Sequence, residues 1–260
     1  MIKVKLLTES ADKLNNIQQH NLNILSNGIW PDGQQISLSF KNDKATIEKI
    51  VKEIPSLSNS KIDKPITGKS FGKVFIIKGY DFKRILKLFF GGLDLSSPDF
   101  TSGAKKDYKW YKKMYDRLHS GKATGATLPV YGVGEVSTKA GPVNWVEMSE
   151  LEMFEDFMGR TGRSDKKEYT NDVARISYAY TAYIRSEGGT PPNVSQIISD
   201  LLYDGIQKTV FSLTKGEIIS LIRALHDITK HGDELHDIAP RNIGVLNPNS
   251  KQPYFIVFDN

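Results

Sequence analysis

The 260-residue chain predicts an α+β fold, and three patterns carry that prediction. Short apolar runs with strand alternation cluster between residues 73 and 148. Longer segments with apolar residues at helical spacing follow, from about residue 150 to residue 230. A final apolar run, Tyr254-Phe255-Ile256-Val257-Phe258, returns to strand character. The predicted order is a small N-terminal α/β extension (1–54), a linker (55–65), a lobe built on an antiparallel sheet (66–148) and a helical lobe (149–260).

Composition narrows the functional classes. Hydrophobic residues make up 39% and charged residues 25%, the balance of a globular chain. Cysteine is absent, which removes disulfides, thiolate metal sites and cysteine nucleophiles, and suits a reducing cytoplasm. No apolar run reaches bilayer length, so no membrane association is expected. The net charge is +5, but the lysines are scattered, so they read as a solvated surface and no nucleic-acid partner is expected.

Each element has a local reason. In the extension, Ile2 to Leu7 alternates as a strand, and Ser10 starts a helix with Leu14, Ile17, Leu22 and Leu25 inward. Gln35 to Phe40 alternates again, and Thr46 to Ile54 forms a short helix with Ile47, Ile50 and Val51 on its apolar side. Residues 55–65 are rich in Ser and Pro and read as the linker. Residues 67–77 form a glycine-containing hairpin strand, and residues 83–90 a second strand with Lys87 between apolar residues. Residues 103–120 make a basic, aromatic helix containing Asp107. Residues 128–136 and 143–148 are two strands about a turn. Asn171 to Ser186 and the stretch from Ser195 are helices, and Thr214 with Glu217 is a capping box for a helix through Ile218, Leu221, Ile222, Leu225 and Ile228.

The chemistry concentrates where that last helix ends. In residues 235–245, Asp237 and Asn242 are separated by four residues and precede an apolar run. This acid-then-amide spacing resembles the catalytic loop of protein kinases, H-R-D-L-x-x-x-N. Leu235 and His236 stand where that motif has His and Arg. Upstream, Gly68 and Gly72 followed by Val74 resemble the kinase glycine-rich loop, although Lys69 occupies the place of the middle glycine. Gly68-Lys69-Ser70 is not a P-loop, because the earlier glycine at the required spacing is missing. Lys87, 15 residues after Gly72, matches the strand lysine, and Asp107 occupies the helix position where the family has Glu. Asp259 closes a strand, as the metal-binding Asp of D-F-G does, without the Phe and Gly.

The resemblance covers about residues 66–260 and implies a bilobal protein kinase-like fold with a reduced helical large lobe. The ending near Asp259 resembles minimal effector kinases of enteric bacteria and compact phage kinases that lack an activation loop. That origin would place the protein in a host cytoplasm. The resemblance implies ATP and Mg²⁺ as cofactors and a Ser/Thr hydroxyl of a protein as acceptor. Lys87 would orient the phosphates and Asp237 would take the hydroxyl proton. Asn242 and Asp259 would hold the metal. Gly68, Gly72, Val74, Lys87, Asp107, Met148 and Glu150 would line the nucleotide site, the last two at the hinge. Two rivals remain: a pseudokinase that binds a partner protein without catalysis, and a small-molecule kinase of the aminoglycoside type, for which Asp233 and Glu234 are the hint.

Overall fold

The computed structural model describes residues 40–66, 72–79, 83–90, 93, 95, 103–138, 141–163, 165–189, 193–204, 211–233, 235, 238–250 and 253–258. The chain divides into two compact units, Met1–Asp116 with Pro129–Glu150 and Arg117–Leu128 with Leu151–Asn260. The described part is mixed α+β, with helices and a five-stranded antiparallel sheet. Among the described residues no helix is long and apolar enough to cross a membrane.

The first unit is built on that sheet. Its strands are β1 (Lys61–Ile66), β2 (Lys73–Lys78), β3 (Lys83–Phe90), β4 (Val130–Thr138) and β5 (Gly141–Ser149), in spatial order β1-β2-β3-β5-β4. Helix α1 (Phe40–Glu53) precedes them, and α2 (Gly103–His119) falls between β3 and β4 in sequence. Side chains alternate between the faces of a strand. On one face Leu86, Leu88 and Phe90 of β3 join Phe75 and Ile77 of β2 and the apolar stripe Ile47, Ile50 and Val51 of α1 in a single buried cluster. Each of these large side chains contributes about 1.5–3 kcal/mol on burial. Trp145 packs against the edge of this cluster, and Gly132 and Gly134 make room for its indole. A Cβ at Gly132 would stand 2.7 Å from the Trp145 ring.

The second unit is helical around a short sheet. It contains α3 (Phe154–Arg160), α4 (Lys166–Ser186), α5 (Val194–Asp204) and α6 (Lys215–Lys230), with β6 (Glu152–Met153), β7 (Ile243–Leu246) and β8 (Tyr254–Val257) in order β6-β7-β8. The capping box forms as its sequence predicts: Glu217 N–H donates to Thr214 Oγ1 at 3.3 Å, and Thr214 N–H donates to Glu217 Oε2 at 2.8 Å. Burial pushes the Glu217 carboxyl up, but Arg163 and Thr214 outweigh it and hold the group below its ordinary value. Leu221, Ile222 and Leu225 of α6 are buried with Val173, Ile176 and Tyr180 of α4 and with Phe255 and Val257 of β8. Ser220 fastens α6 to β8 by donating to Pro253 O at 3.1 Å and accepting from Phe255 N–H at 2.7 Å.

Several sequence expectations change. Residues 55–65, read as a linker, form a 3-10 turn (Pro55–Leu57) and most of β1. Leu57 is fully buried, so the stretch belongs to the core despite its Ser and Pro content. The described part of the extension packs on the sheet, where the apolar stripe of α1 completes one face. Phe40, assigned to a strand, begins α1, and the helix expected from Asn171 starts at Lys166, where Asp165 accepts from Lys167 N–H at 2.9 Å as its cap. The predicted strand and helix within residues 1–39 lie outside the described residues.

Candidate functional site

In the first unit the site begins with Lys87. Its cross-strand partners are Val74 on β2 and Val146 on β5. Ile85, two residues earlier, faces Ile76 and Met148. By strand alternation Val74, Lys87 and Met148 therefore share one face of the sheet, opposite the face that α1 covers. Helix α2 supplies the rest of the surroundings. Its buried stripe is Ala104, Asp107, Tyr108, Tyr111 and Met114, spaced three and four residues apart. Asp107 is the acid in that stripe, and its carboxylate pairs with the Lys87 ammonium. Tyr111 Oη accepts a further, longer hydrogen bond from Lys87 Nζ at 3.4 Å. The rings of Tyr111 and Phe89 lie 5.0 and 5.2 Å from that nitrogen, within cation–π range. Phe89 also meets Tyr108 edge-on, which holds α2 to β3.

This geometry separates two lysines that the sequence placed on one face. The Lys83 side chain is 44% exposed and pairs with Glu150 at 2.6 Å, whereas Lys87 is 6% exposed. An ammonium carries three N–H donors. Asp107 and Tyr111 take two from Lys87, and no other acceptor meets it among the described residues. A desolvated cation with one donor left is suited to an anionic oxygen. Gly72 lies against β3 beneath this point. A Cβ there would come within 2.7 Å of the Leu88 carbonyl oxygen, so the close approach of the strands requires glycine.

In the second unit, Asn242 ends a 3-10 turn (Pro240–Asn242) and is buried. Its N–H donates to Ala239 O at 2.9 Å, and its carbonyl accepts from Phe258 N–H at 2.9 Å. That last bond sets Asn242 beside Phe258, the residue that follows β8. Gly68, Asp237 and Asp259 lie outside the described residues. Glu150 and Met148 are described: Glu150 is held by Lys83, and Met148 sits in β5 opposite Ile85 and Val130. Among the described residues no group of three His, Cys, Asp or Glu is placed to hold a metal ion.

A second polar cluster escaped sequence reasoning. Asp227, nearly fully buried on α6, accepts from Thr124 Oγ1 at 2.7 Å and from Thr127 Oγ1 at 2.9 and 3.0 Å. Arg117 reaches Asp227 at 3.5 Å and Asp233 at 2.8 Å. The one available signal was a carboxylate at a buried phase of an apolar helix, which demands a partner without naming it. Glu147 is a similar case. It is buried in β5, receives Arg84, and accepts from Ser56 Oγ at 2.9 Å.

A scan of protein-family models and a search of curated protein sequences return no match to this chain.

Proposed function

We propose that this protein is an ATP-dependent protein kinase that moves the γ-phosphate to a Ser or Thr hydroxyl of a protein. The observation that carries the reading is the buried pair of Lys87 on β3 and Asp107 on α2, with Val74 and Met148 on the same sheet face. Protein kinases hold ATP phosphates with a strand lysine that a helix carboxylate orients, beneath a glycine-rich loop. Here the carboxylate is one methylene shorter, and the pair still closes. Lys87 would present its remaining donor to the α- and β-phosphates. The loop from Gly68 to Gly72 would lie over them, Val74 and Met148 would flank the base, and the segment from Met148 to Glu150 would be the hinge. Asp237 would accept the proton of the attacking hydroxyl.

Oxygen donors suit Mg²⁺, and Asn242 with Asp259 is the set that would hold it. The Phe258–Asn242 backbone bond supports their proximity. The metal would neutralise charge on the phosphates when bound. The protein's own contribution is placement and fixed charge rather than covalent chemistry.

One observation bears on each rival. A pseudokinase is favoured by the absence of a helix Glu, by His236 in place of the catalytic-loop Arg, by the degenerate glycine loop and by the reduced large lobe; the Lys87–Asp107 pair bears on the first of these alone. Asp233, a candidate for recognising an aminoglycoside-type cation, is already engaged by Arg117, which weakens the small-molecule reading. The test is thermal stabilisation by ATP, with and without Mg²⁺, on the wild type, Lys87→Met and Asp259→Asn, followed by transfer from labelled ATP to protein. The expected result is a Mg²⁺-dependent rise in the wild type that both variants lose. No rise and no transfer in the wild type would turn the reading to a partner-binding protein without catalysis.

A further inference from the structure

The second unit contains a cavity of about 310 Å³ along one face of α6. That is the lower end of the range for small-molecule sites. Ser220, Arg223, Asp227 and Lys230 succeed one another at helical spacing along this face, with His226 beside them. The opposite walls are the 124–126 loop, Val194 at the start of α5 and Tyr254 at the start of β8. A Cβ at Gly125 would stand 3.0 Å from the Tyr254 ring, so the loop and the ring close one wall without a gap.

The charges in this cavity are not balanced. Asp227 is the acid of the lining, and Arg117, Thr124 and Thr127 already satisfy it. Arg223 and Lys230 make no hydrogen bond or ion pair among the described residues. Tyr254 and Val194 offer apolar surface beside them.

We infer that this cavity is a binding site for a small organic anion with a flat apolar body, an aryl phosphate or aromatic carboxylate, whose charged end meets Arg223 and Lys230. Tyr254 would lie against the body. The inference does not depend on the kinase reading, since none of these residues belongs to the proposed nucleotide site.

Calorimetric titration of the full chain with phenyl phosphate tests it. Saturable binding is expected, with weaker binding of inorganic phosphate, which lacks the body, and of benzyl alcohol, which lacks the charge. Arg223→Gln and Lys230→Gln should each weaken phenyl phosphate about tenfold, the scale of one charge-assisted hydrogen bond. Both side chains are exposed enough for the variants to fold. Lys215→Gln, on the same helix outside the cavity, should change nothing. Excess ATP should leave the binding unchanged. The inference is overturned if phenyl phosphate does not saturate, if benzyl alcohol binds as well, if both cavity variants bind as the wild type does, or if ATP displaces the probe.

Discussion

Both units bury charged side chains, and two of them, one from each unit, are treated differently. Lys87 in the first unit has one carboxylate, one distant hydroxyl and two aromatic faces, and among the described residues it keeps an unused donor. Asp227 in the second unit receives Arg117, Thr124 and Thr127 on its two oxygens. A fully satisfied buried charge behaves as a structural fastening, whereas one with spare valence is prepared to meet a ligand. The contrast teaches that burial alone does not mark a functional group; the unfilled hydrogen-bonding capacity does.

The largest expected effect breaks the fastening. Asp227→Ala takes the carboxylate away from Arg117 and from the Thr124 and Thr127 hydroxyls. It should lower unfolding free energy by about 3–5 kcal/mol in urea titrations. A loss near zero would mean the cluster is ornamental. Next comes the other charge. Lys87→Met removes the ammonium that pairs with Asp107 and should cost about 3 kcal/mol, while Lys87→Met combined with Asp107→Leu should recover most of that stability. Nucleotide binding should return in neither variant, and its return in the double variant would sink the assignment of Lys87 as a phosphate ligand.

Smaller changes sharpen the comparison. Gly72→Ala forces a Cβ into the Leu88 carbonyl and should destabilise by about 1–3 kcal/mol, through overpacking rather than charge. Removing the α6 cap by Thr214→Ala should cost about 1 kcal/mol, measurable as a shift in the urea midpoint. The mildest probe is pH. Burial first, and then neighbouring cations, hold His226 and His231 below the ordinary histidine value of 6.5. The unfolded chain therefore binds protons that the folded chain resists. Stability from these groups is intact above pH 6.5 and declines as pH falls below it. A midpoint that falls between pH 7.5 and 5.5 in the wild type, and falls less in His226→Asn/His231→Asn, is the expected outcome. Identical slopes would assign the decline to other groups.

Legibility followed the range of the interactions. Helix α6, its capping box and its apolar stripe were readable because every signal lies within a turn or two of chain. The β4–β5 hairpin was readable from alternation about a glycine-containing turn. The pairing candidates Lys87 and Asp107 were nominated by a family resemblance, not by spacing, and only coordinates bring the two groups into contact. Residues 55–65 were misread because Ser and Pro composition describes a local preference. Burial of Leu57 beside Phe75 and Leu86 is a tertiary matter that overrides it.

By itself, the sequence determined most of the element types from residue 73 onward, the absence of cysteine chemistry and the order of the candidate residues, because backbone periodicity and composition are local properties of the chain. Only the tertiary structure decided that α1 closes one face of the sheet, that Lys87 is buried while Lys83 is not, and that Asp227 gathers Arg117 and two threonines. Those outcomes depend on partners distant in sequence, about 100 residues apart for Thr127 and Asp227. Such contacts form only when the packing of apolar faces brings their backbones together.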